Sequence, residues 1–574
     1  MDKGMDVLLF SDETLAAALA RIPSKRESEL RFIGFGPEEI CLSYRQLYEE
    51  ARRRGAHLTG RGFRKGDRLG LMISEAHEFI MSFVGCVLSG IIPVPLSPPM
   101  TARAGEYYLS TTARILTNAG ARGLLTTESG RGFAEQVLQD VAHSPELMVV
   151  EKDFSTEPPE FIRPRLTPED VCFLQYTSGS TSTPRGVMVT HANLMANISA
   201  FLGPVGVNVG PEDVGVSWLP LYHDMGLIGM VLGPLIYVGP LIILSTTSFA
   251  RDPRSWLKAI DKYRGTITFA PNFAFAQVLK RLRDQDLEKL DLSCLRVVGC
   301  GAEPIQAATL RSFAERLAPV GFRAETLLPS YGLAESTLAV SLHRLGTPIR
   351  TEYLDLEALA QGIARPISPE AKTAVELVSC GFPLPDHDVA ILNDDGERLG
   401  EREIGEITVQ GKSVAQGYYE NPTATASTWR HGRMHTGDLG YLADGELFVC
   451  GRKKELIIIR GANYYPHDIE ATVRELPGIK RGNVTAFSTR RDGVERLIVV
   501  AEADPREGEE LRQAISTRIL EAFGLEVGEV VLIPVGGLPR TTSGKLQRAK
   551  VAQLYEESAL PKLEKTSTDR TEEE

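Results

Sequence analysis

The sequence has no C-x-x-C pair: its seven cysteines, at positions 41, 86, 172, 294, 300, 380 and 450, stand singly and mostly inside apolar runs. That spacing excludes a four-cysteine zinc site and a thiol-exchange motif, and predicts buried thiols in a reducing cytoplasm. Positive charge is also short. Against 75 Asp and Glu there are 63 Lys and Arg, a net charge of -12, which opposes sequence-independent binding to a phosphate backbone and sets nucleic acid aside as a partner. The first residues, Met1-Asp2-Lys3-Gly4-Met5-Asp6, open no sustained apolar run ahead of a cleavage-like site, so a secretory leader is not expected. One uncharged stretch, Met225 to Phe249, has the length of a bilayer span, but Gly226, Gly229, Gly233, Pro234, Gly239 and Pro240 interrupt it. It reads as a helix, a turn and the buried strand Leu241 to Leu244, and no stable membrane span is expected.

What is present is length and alternation. A chain of 574 residues exceeds one compact core, so two or more domains are expected, with interior enough for a long apolar ligand. Short β-rich runs (Arg68 to Ile73, Ile91 to Pro95, Gly123 to Thr127, Leu147 to Glu151, Cys172 to Tyr176, Thr266 to Ala270, Leu295 to Cys300) alternate with helical patterns. Alternation of this kind predicts an α/β class with stacked β-α-β sheets. Ser43 with Gln46 three residues on, ahead of Leu47 and Ala51, predicts a capped helix start. The pattern changes near residue 451. A helix opens at Pro466, a hairpin turns at Asp492-Gly493, and a helix Glu509 to Phe523, a strand Val530 to Ile533 and a last helix after Gly544 follow. The expected organisation is a large multi-subdomain lobe over 1–453, a small mobile α+β lobe over 454–562 and a disordered tail over 563–574.

The strand Cys172 to Tyr176 runs into Thr177-Ser178-Gly179-Ser180-Thr181-Ser182-Thr183-Pro184-Arg185-Gly186-Val187, with a helix expected from about Ala192. Glycines admit close backbone approach to phosphate oxygens, hydroxyls and peptide N–H groups donate, and Arg185 adds charge. It is not the G-x-x-x-x-G-K-[ST] pattern, and taken alone it reads equally well as a Ser/Thr-rich surface loop.

Four further segments change that balance: Pro329-Ser330-Tyr331-Gly332-Leu333-Ala334-Glu335, Thr436-Gly437-Asp438-Leu439, Gly451-Arg452-Lys453-Lys454, and Pro539-Arg540-Thr541-Thr542-Ser543-Gly544-Lys545-Leu546-Gln547-Arg548. In order and spacing the five resemble the adenylate-forming superfamily, over nearly the whole chain. The resemblance implies ATP and Mg2+ as cofactors. It makes Thr177, Ser178, Gly179, Ser180, Thr181 and Gly186 the phosphate loop, and Ser330, Tyr331 and Gly332 the adenine segment. It gives Asp438 to the ribose, Arg452 to the ribose or phosphate, Thr181 and Glu335 to the metal, Lys454 to an interlobe hinge, and Lys545, Arg185 and Glu335 to catalysis. An aromatic face, a hard oxygen ligand and a doubly accepting carboxylate suit those roles. Ser182 stands where the superfamily commonly has glycine, and Arg185 where it commonly has lysine, exchanging a point charge for a planar fork.

Within that superfamily, Leu174 to Thr181, Trp218-Leu219-Pro220-Leu221-Tyr222-His223-Asp224-Met225-Gly226 and Pro329 to Ser336 resemble fatty acyl-AMP ligases. The implied substrate is a fatty acid, the implied acceptor the phosphopantetheine thiol of an acyl carrier protein, and Trp218, His223, Asp224, Met225 and Gly226 would belong to the acyl pocket. On composition alone that stretch reads as core, and His223 either gates a pocket or caps a turn. The interval from Glu335 to Gly381 resembles the subfamily's insertion, placed at about Thr351 to Val375. It includes a short amphipathic helix over Tyr353 to Ala360, whose apolar face must pack against a neighbour. Two alternatives stand beside this reading: an acyl-CoA synthetase, and a non-catalytic nucleotide- and lipid-binding partner of a carrier-protein assembly.

Overall fold

A computed structural model describes residues 13–22, 28–34, 39–99, 106–177, 184–459, 462–474, 476–491, 494–504, 507–540, 546–561 and 563. The chain forms two compact units. One takes in 1–349, 380–389 and 408–436; the other takes in 350–379, 390–407 and 437–574.

The first unit is built on a nine-stranded sheet. Its order is Phe382–Pro383, Ala339–Leu342, Leu327–Gly332, Val297–Cys300, Ile267–Ala270, Gly215–Ser217, Leu241–Leu244, Glu29–Ile33 and Glu39–Ser43. The interior pairs are parallel, as in Ile267↔Val297 and Leu241↔Gly215, and antiparallel strands close both edges. Parallel strands covered on both faces must be apolar throughout, which is why Leu241–Leu244 and Val297–Cys300 are buried at every position. A second, parallel sheet has the order Ile92–Pro95, Arg68–Met72, Gly123–Thr126, Glu146–Val149. The helix Tyr44–Gly60 begins on Ser43, whose hydroxyl accepts from Gln46 N while the Gln46 side chain returns to Ser43 N at 2.9 Å. The predicted strands of this unit all form, with ends shifted by at most two residues, and Val150 and Glu151 lie instead in the short helix Val150–Asp153.

The uncharged stretch after Asp224 forms a π-helix, Met225–Leu232, then an α-helix, Gly233–Tyr237, then the buried strand Leu241–Leu244. The second residue of the π-helix must be glycine. A Cβ on Gly226 would stand 2.3 Å from the Pro220 carbonyl oxygen. Among the described residues no helix is long and apolar enough to cross a membrane.

In the second unit, the segment expected as an insertion is a hairpin of Thr351–Asp355 against Ala374–Val378, with a helix at Leu356–Ala360. The expected helix over Tyr353 to Ala360 is thus corrected: its first three residues are strand, paired through Tyr353↔Glu376 and Leu354↔Val375, and Asp355 caps the shortened helix. The unit's C-terminal part packs the helices Pro466–Arg474 and Glu509–Phe523 on a sheet of Ile479–Arg491, Val494–Ala503 and Val527–Ile533. The strand read as Val530 to Ile533 starts three residues earlier, and the last helix is Arg548–Glu556. The turn Asp492-Gly493 and the tail after Leu563 lie outside the described residues.

Cys86, Cys172, Cys300, Cys380 and Cys450 are buried, and burial pushes the Cys380 thiol up to about 12. Cys294 is half-buried and Cys41 is exposed, near the sheet edge, against the expectation of burial.

Candidate active site

The strand Val171–Thr177 ends at the candidate phosphate loop. Its partner, Arg185–Thr190, begins as the loop closes, with Thr177↔Arg185 and Tyr176↔Gly186 in register. Arg185, Gly186 and Val187, expected in the loop, are therefore strand residues. Gly186 is required there, because a Cβ would meet the Tyr176 ring at 2.8 Å. Ser178, Gly179, Ser180, Thr181, Ser182 and Thr183 lie outside the described residues, and so does Lys545.

The outer side of Arg185–Thr190 is bound by a segment that sequence reading missed. Met188 N donates to Gly417 O at 3.0 Å, Tyr419 N donates to Gly186 O at 2.8 Å, and Val187 bridges Tyr418. Tyr418 is 4% exposed. Its hydroxyl donates to Glu335 Oε1 at 2.7 Å, and the Arg185 guanidinium lies 5.4 Å from its ring centroid. Ala415 N donates to Glu335 O at 2.9 Å, so the same segment holds both the backbone and the side chain of Glu335. Burial first, then the charge of Glu335, push the Tyr418 phenol well above its ordinary value, so it stays a donor. Arg185 and Glu335, 150 positions apart in sequence (335 − 185), thus meet on one tyrosine. No local pattern announces Tyr418, whose partners come from a distant strand and a distant 3-10 turn.

Ser330, Tyr331 and Gly332 end the strand Leu327–Gly332. Ser330 Oγ donates to Cys300 O at 3.1 Å, and a Cβ on Gly332 would stand 1.9 Å from Leu338 O, so glycine is needed for the bulge between Tyr331 and Gly332. Trp218 is 3% exposed and stacks on Phe249 at 3.6 Å, with Trp256 and Phe273 edge-on at 6.4 and 6.2 Å. This places it in the aromatic core of the first unit. Asp224 Oδ1 accepts from Met225 N at 2.7 Å and lies 2.7 Å from His223 Nδ1, so the pair caps the π-helix that carries Met225 and Gly226.

In the second unit Asp438 stands opposite Arg452 across the antiparallel strands Arg433–Ala443 and Glu446–Arg452, with Arg452 Nε 3.3 Å from Asp438 Oδ1. The Asp438 side chain is 11% exposed and that of Arg452 56%. Gly437, within the strand Arg433–Ala443 but at φ +73°, takes the left-handed conformation before Asp438, and its N–H donates to Glu406 Oε1 at 3.2 Å. Lys454 is exposed in the turn Lys453–Glu455, while Lys453 pairs with Asp394 at 2.5 Å.

Among the described residues no group of three or more His, Cys, Asp and Glu is placed to hold a metal. Glu335 offers one hard carboxylate. That fits magnesium arriving with a nucleotide, which takes one or two carboxylates and draws its other oxygens from phosphate and water.

A two-stranded antiparallel sheet thus carries an arginine to the ring of a buried tyrosine whose hydroxyl holds a glutamate. The chain belongs to the AMP-binding enzyme family, whose model matches residues 23–419. Residues 454–565 match the AMP domain of Disco-interacting protein 2-like proteins. A putative acyl-CoA synthetase of Caulobacter vibrioides is 35% identical over 90% of this chain and 90% of its own length. The long-chain-fatty-acid–AMP ligase FadD26 of Mycobacterium marinum is 35% identical over 92% and 93%. The medium-chain-fatty-acid–[acyl-carrier-protein] ligase JamA of Moorena producens is 34% identical over 93% of each. A solved structure from a study of fatty acyl-adenylate ligases of E. coli and L. pneumophila superposes with a TM-score of 0.88 at 35% identity, covering 96% of this chain and 98% of that one.

Proposed function

We propose that this chain activates a fatty acid with ATP, forming an acyl-adenylate and pyrophosphate, and then passes the acyl group to the phosphopantetheine thiol of an acyl carrier protein. The observation that carries the first step is the Arg185–Tyr418–Glu335 cluster at the start of the strand Arg185–Thr190, which follows the hydroxyl-rich segment in sequence. Relatives named as a fatty-acid–AMP ligase and an acyl-carrier-protein ligase over nine-tenths of the chain support the substrate and the acceptor.

In the first step a carboxylate oxygen bonds to the α-phosphorus of ATP and the bond to the β-phosphate oxygen breaks, releasing pyrophosphate. Two anions must approach, so the barrier falls with every cation aimed at the phosphates. Arg185 and Lys545 take that role in our reading, with Thr177 to Thr181 and Gly186 around the leaving pyrophosphate. Ser330, Tyr331 and Gly332 seat the adenine, and Asp438 accepts from the ribose hydroxyls beside Arg452. Thr181 and Glu335 would hold magnesium, which when bound neutralises phosphate charge. In the second step the thiol sulfur bonds to the acyl carbon and AMP leaves. Positioning and charge screening suffice for both, without a protein nucleophile.

The choice of acceptor rests on the insertion at about 351–375. Leu354 and Leu359 pack in one buried cluster with Tyr441, Phe448 and Tyr465, and the helix Leu356–Ala360 lies against Ala462–Tyr464, beyond the hinge residue Lys454. In this reading the division at 453/454 separates the adenylation lobe from the lid, and the insertion restrains the lid and disfavours coenzyme A. Trp218, His223, Asp224, Met225 and Gly226 form one wall of the acyl site, and the enzyme works in the cytoplasm. The test is fatty-acid-dependent ATP–pyrophosphate exchange with Lys545→Ala as control. Exchange lost in the variant supports the mechanism. Exchange at the parental rate removes Lys545, and no exchange with any acid leaves a binding protein.

A further inference from the structure

We propose that Tyr418 is a positioning residue: its hydroxyl fixes the Glu335 carboxylate for the metal–nucleotide complex, and its ring seats Arg185 on the same side. This deepens the proposed adenylation and rests on it. Three observations converge on the residue. The phenol donates to Glu335 Oε1 at 2.7 Å, a charge-assisted bond to a side chain that otherwise sits on a short 3-10 turn, Ala334–Ser336. The guanidinium of Arg185 lies over the ring at 5.4 Å, within cation–π range. The ring itself has little freedom, since Tyr418 is buried, meets Trp429 edge-on at 5.0 Å and 80°, and is held in the backbone by Val187 and by Thr425 Oγ1, which accepts from Tyr418 N at 2.9 Å.

The geometry makes one part of the site rigid and leaves its chemistry intact. A carboxylate accepts several hydrogen bonds, so accepting from Tyr418 orients Glu335 without exhausting it as an oxygen ligand. Without the hydroxyl, Glu335 loses one of its restraints, and the ordering lost must be supplied each time the metal and nucleotide bind, so the cost appears in metal affinity rather than in recognition of the acid.

The experiment uses the full chain and Mn2+ as the probe, with a non-hydrolysable α,β-methylene ATP, reading bound metal by electron paramagnetic resonance. Tyr418→Phe keeps the ring, its edge-on contact to Trp429 and the face over which Arg185 lies, and removes the hydroxyl that meets Glu335 and Arg185. The expected result is a roughly tenfold rise in the Mn2+ concentration for half-saturation, the size of one hydrogen bond to a charged group. In pyrophosphate exchange the same variant should need more magnesium while its KM for the fatty acid stays within about twofold. Tyr418→Leu, which also removes the ring beneath Arg185, should in addition weaken pyrophosphate binding. Half-saturation unchanged in a folded Tyr418→Phe protein overturns the proposal. So does a rise in fatty-acid KM matching the loss of metal affinity, which marks a merely structural role. If the parent binds metal–nucleotide tyrosine-dependently but shows no acid-dependent exchange, the adenylation reading fails and the role of Tyr418 stands. A parent that binds no metal–nucleotide overturns both.

Discussion

Arg452 meets Asp438 from the facing strand, Nε to Oδ1 at 3.3 Å, in a pair whose acid is nearly buried and whose base is half exposed. Such a pair contributes little stability, because solvent screens the arginine. Its consequence is orientation: the carboxylate is held in the strand one residue after a left-handed glycine, and a carboxylate can accept more than one hydrogen bond. Asp438→Ala should raise the KM for ATP by about tenfold to a hundredfold, the worth of one or two hydrogen bonds to a charged group. The parent should prefer ATP to its 2'-deoxy analogue and the variant should not. Equal discrimination in both proteins removes Asp438 from the ribose.

The second unit has its own buried ion cluster. Glu470 is fully buried and accepts from Arg548 Nε at 2.7 Å and Nη2 at 2.8 Å, from Ala486 N at 3.1 Å and from Arg474 Nη2 at 3.3 Å, while Arg548 also pairs with Glu455. Glu470→Ala strands these donors and should lower stability by about 3–5 kcal/mol, the usual cost of breaking a buried pair from one side. Urea unfolding of the full chain reads this directly. A loss below about 1 kcal/mol would show the cluster to be solvated.

A pH dependence follows from His191, which starts the helix His191–Leu202 and is 2% exposed. Its Nδ1 accepts from Leu15 N at 3.2 Å, so the ring is neutral in the fold. Burial lowers its pKa from 6.5 to about 4, with Asp170 opposing the shift and Lys65 adding to it. The folded value lies below the unfolded one, so the unfolded chain takes up the proton first. The stability the neutral ring contributes is complete above pH 6.5 and falls as pH drops towards 4, by about 3 kcal/mol in all. His191→Gln should flatten that part of the stability–pH curve. An unchanged slope would assign it to other groups.

Leu359 is 1% exposed in the cluster that joins the insertion to Tyr441, Phe448 and Tyr465. Leu359→Ala should cost about 2–4 kcal/mol of stability through the cavity it leaves. On the proposed restraint it should also raise acyl-CoA formation from ATP, fatty acid and coenzyme A. Removing Thr351 to Val375 should raise it further. No gain in either variant would leave the insertion as surface decoration.

The α/β architecture was legible because parallel strands buried on both faces write themselves as short apolar runs, and Ser43 with Gln46 wrote a capped helix start. Local pattern failed where a partner was distant. Tyr353 to Asp355 has helical spacing but pairs with Ala374–Val378 as strand. Arg185 to Val187 was read as loop because its neighbours, Val171–Thr177 and Gly417 to Tyr419, lie on either side only after folding. The candidate site divides in the same way. Glu335 and Asp438 were nameable from their motifs, whereas Tyr418, which joins Arg185 to Glu335, has no motif of its own.

The central claim is acyl transfer to a carrier protein through an adenylate. The measurement is competition: enzyme, ATP, magnesium and a fatty acid with coenzyme A and a phosphopantetheinylated acyl carrier protein in the same tube, with products resolved over time. The account predicts pyrophosphate release, acyl-adenylate and acyl-carrier protein, with little acyl-CoA. Acyl-CoA formed as fast as acyl-carrier protein would contradict it.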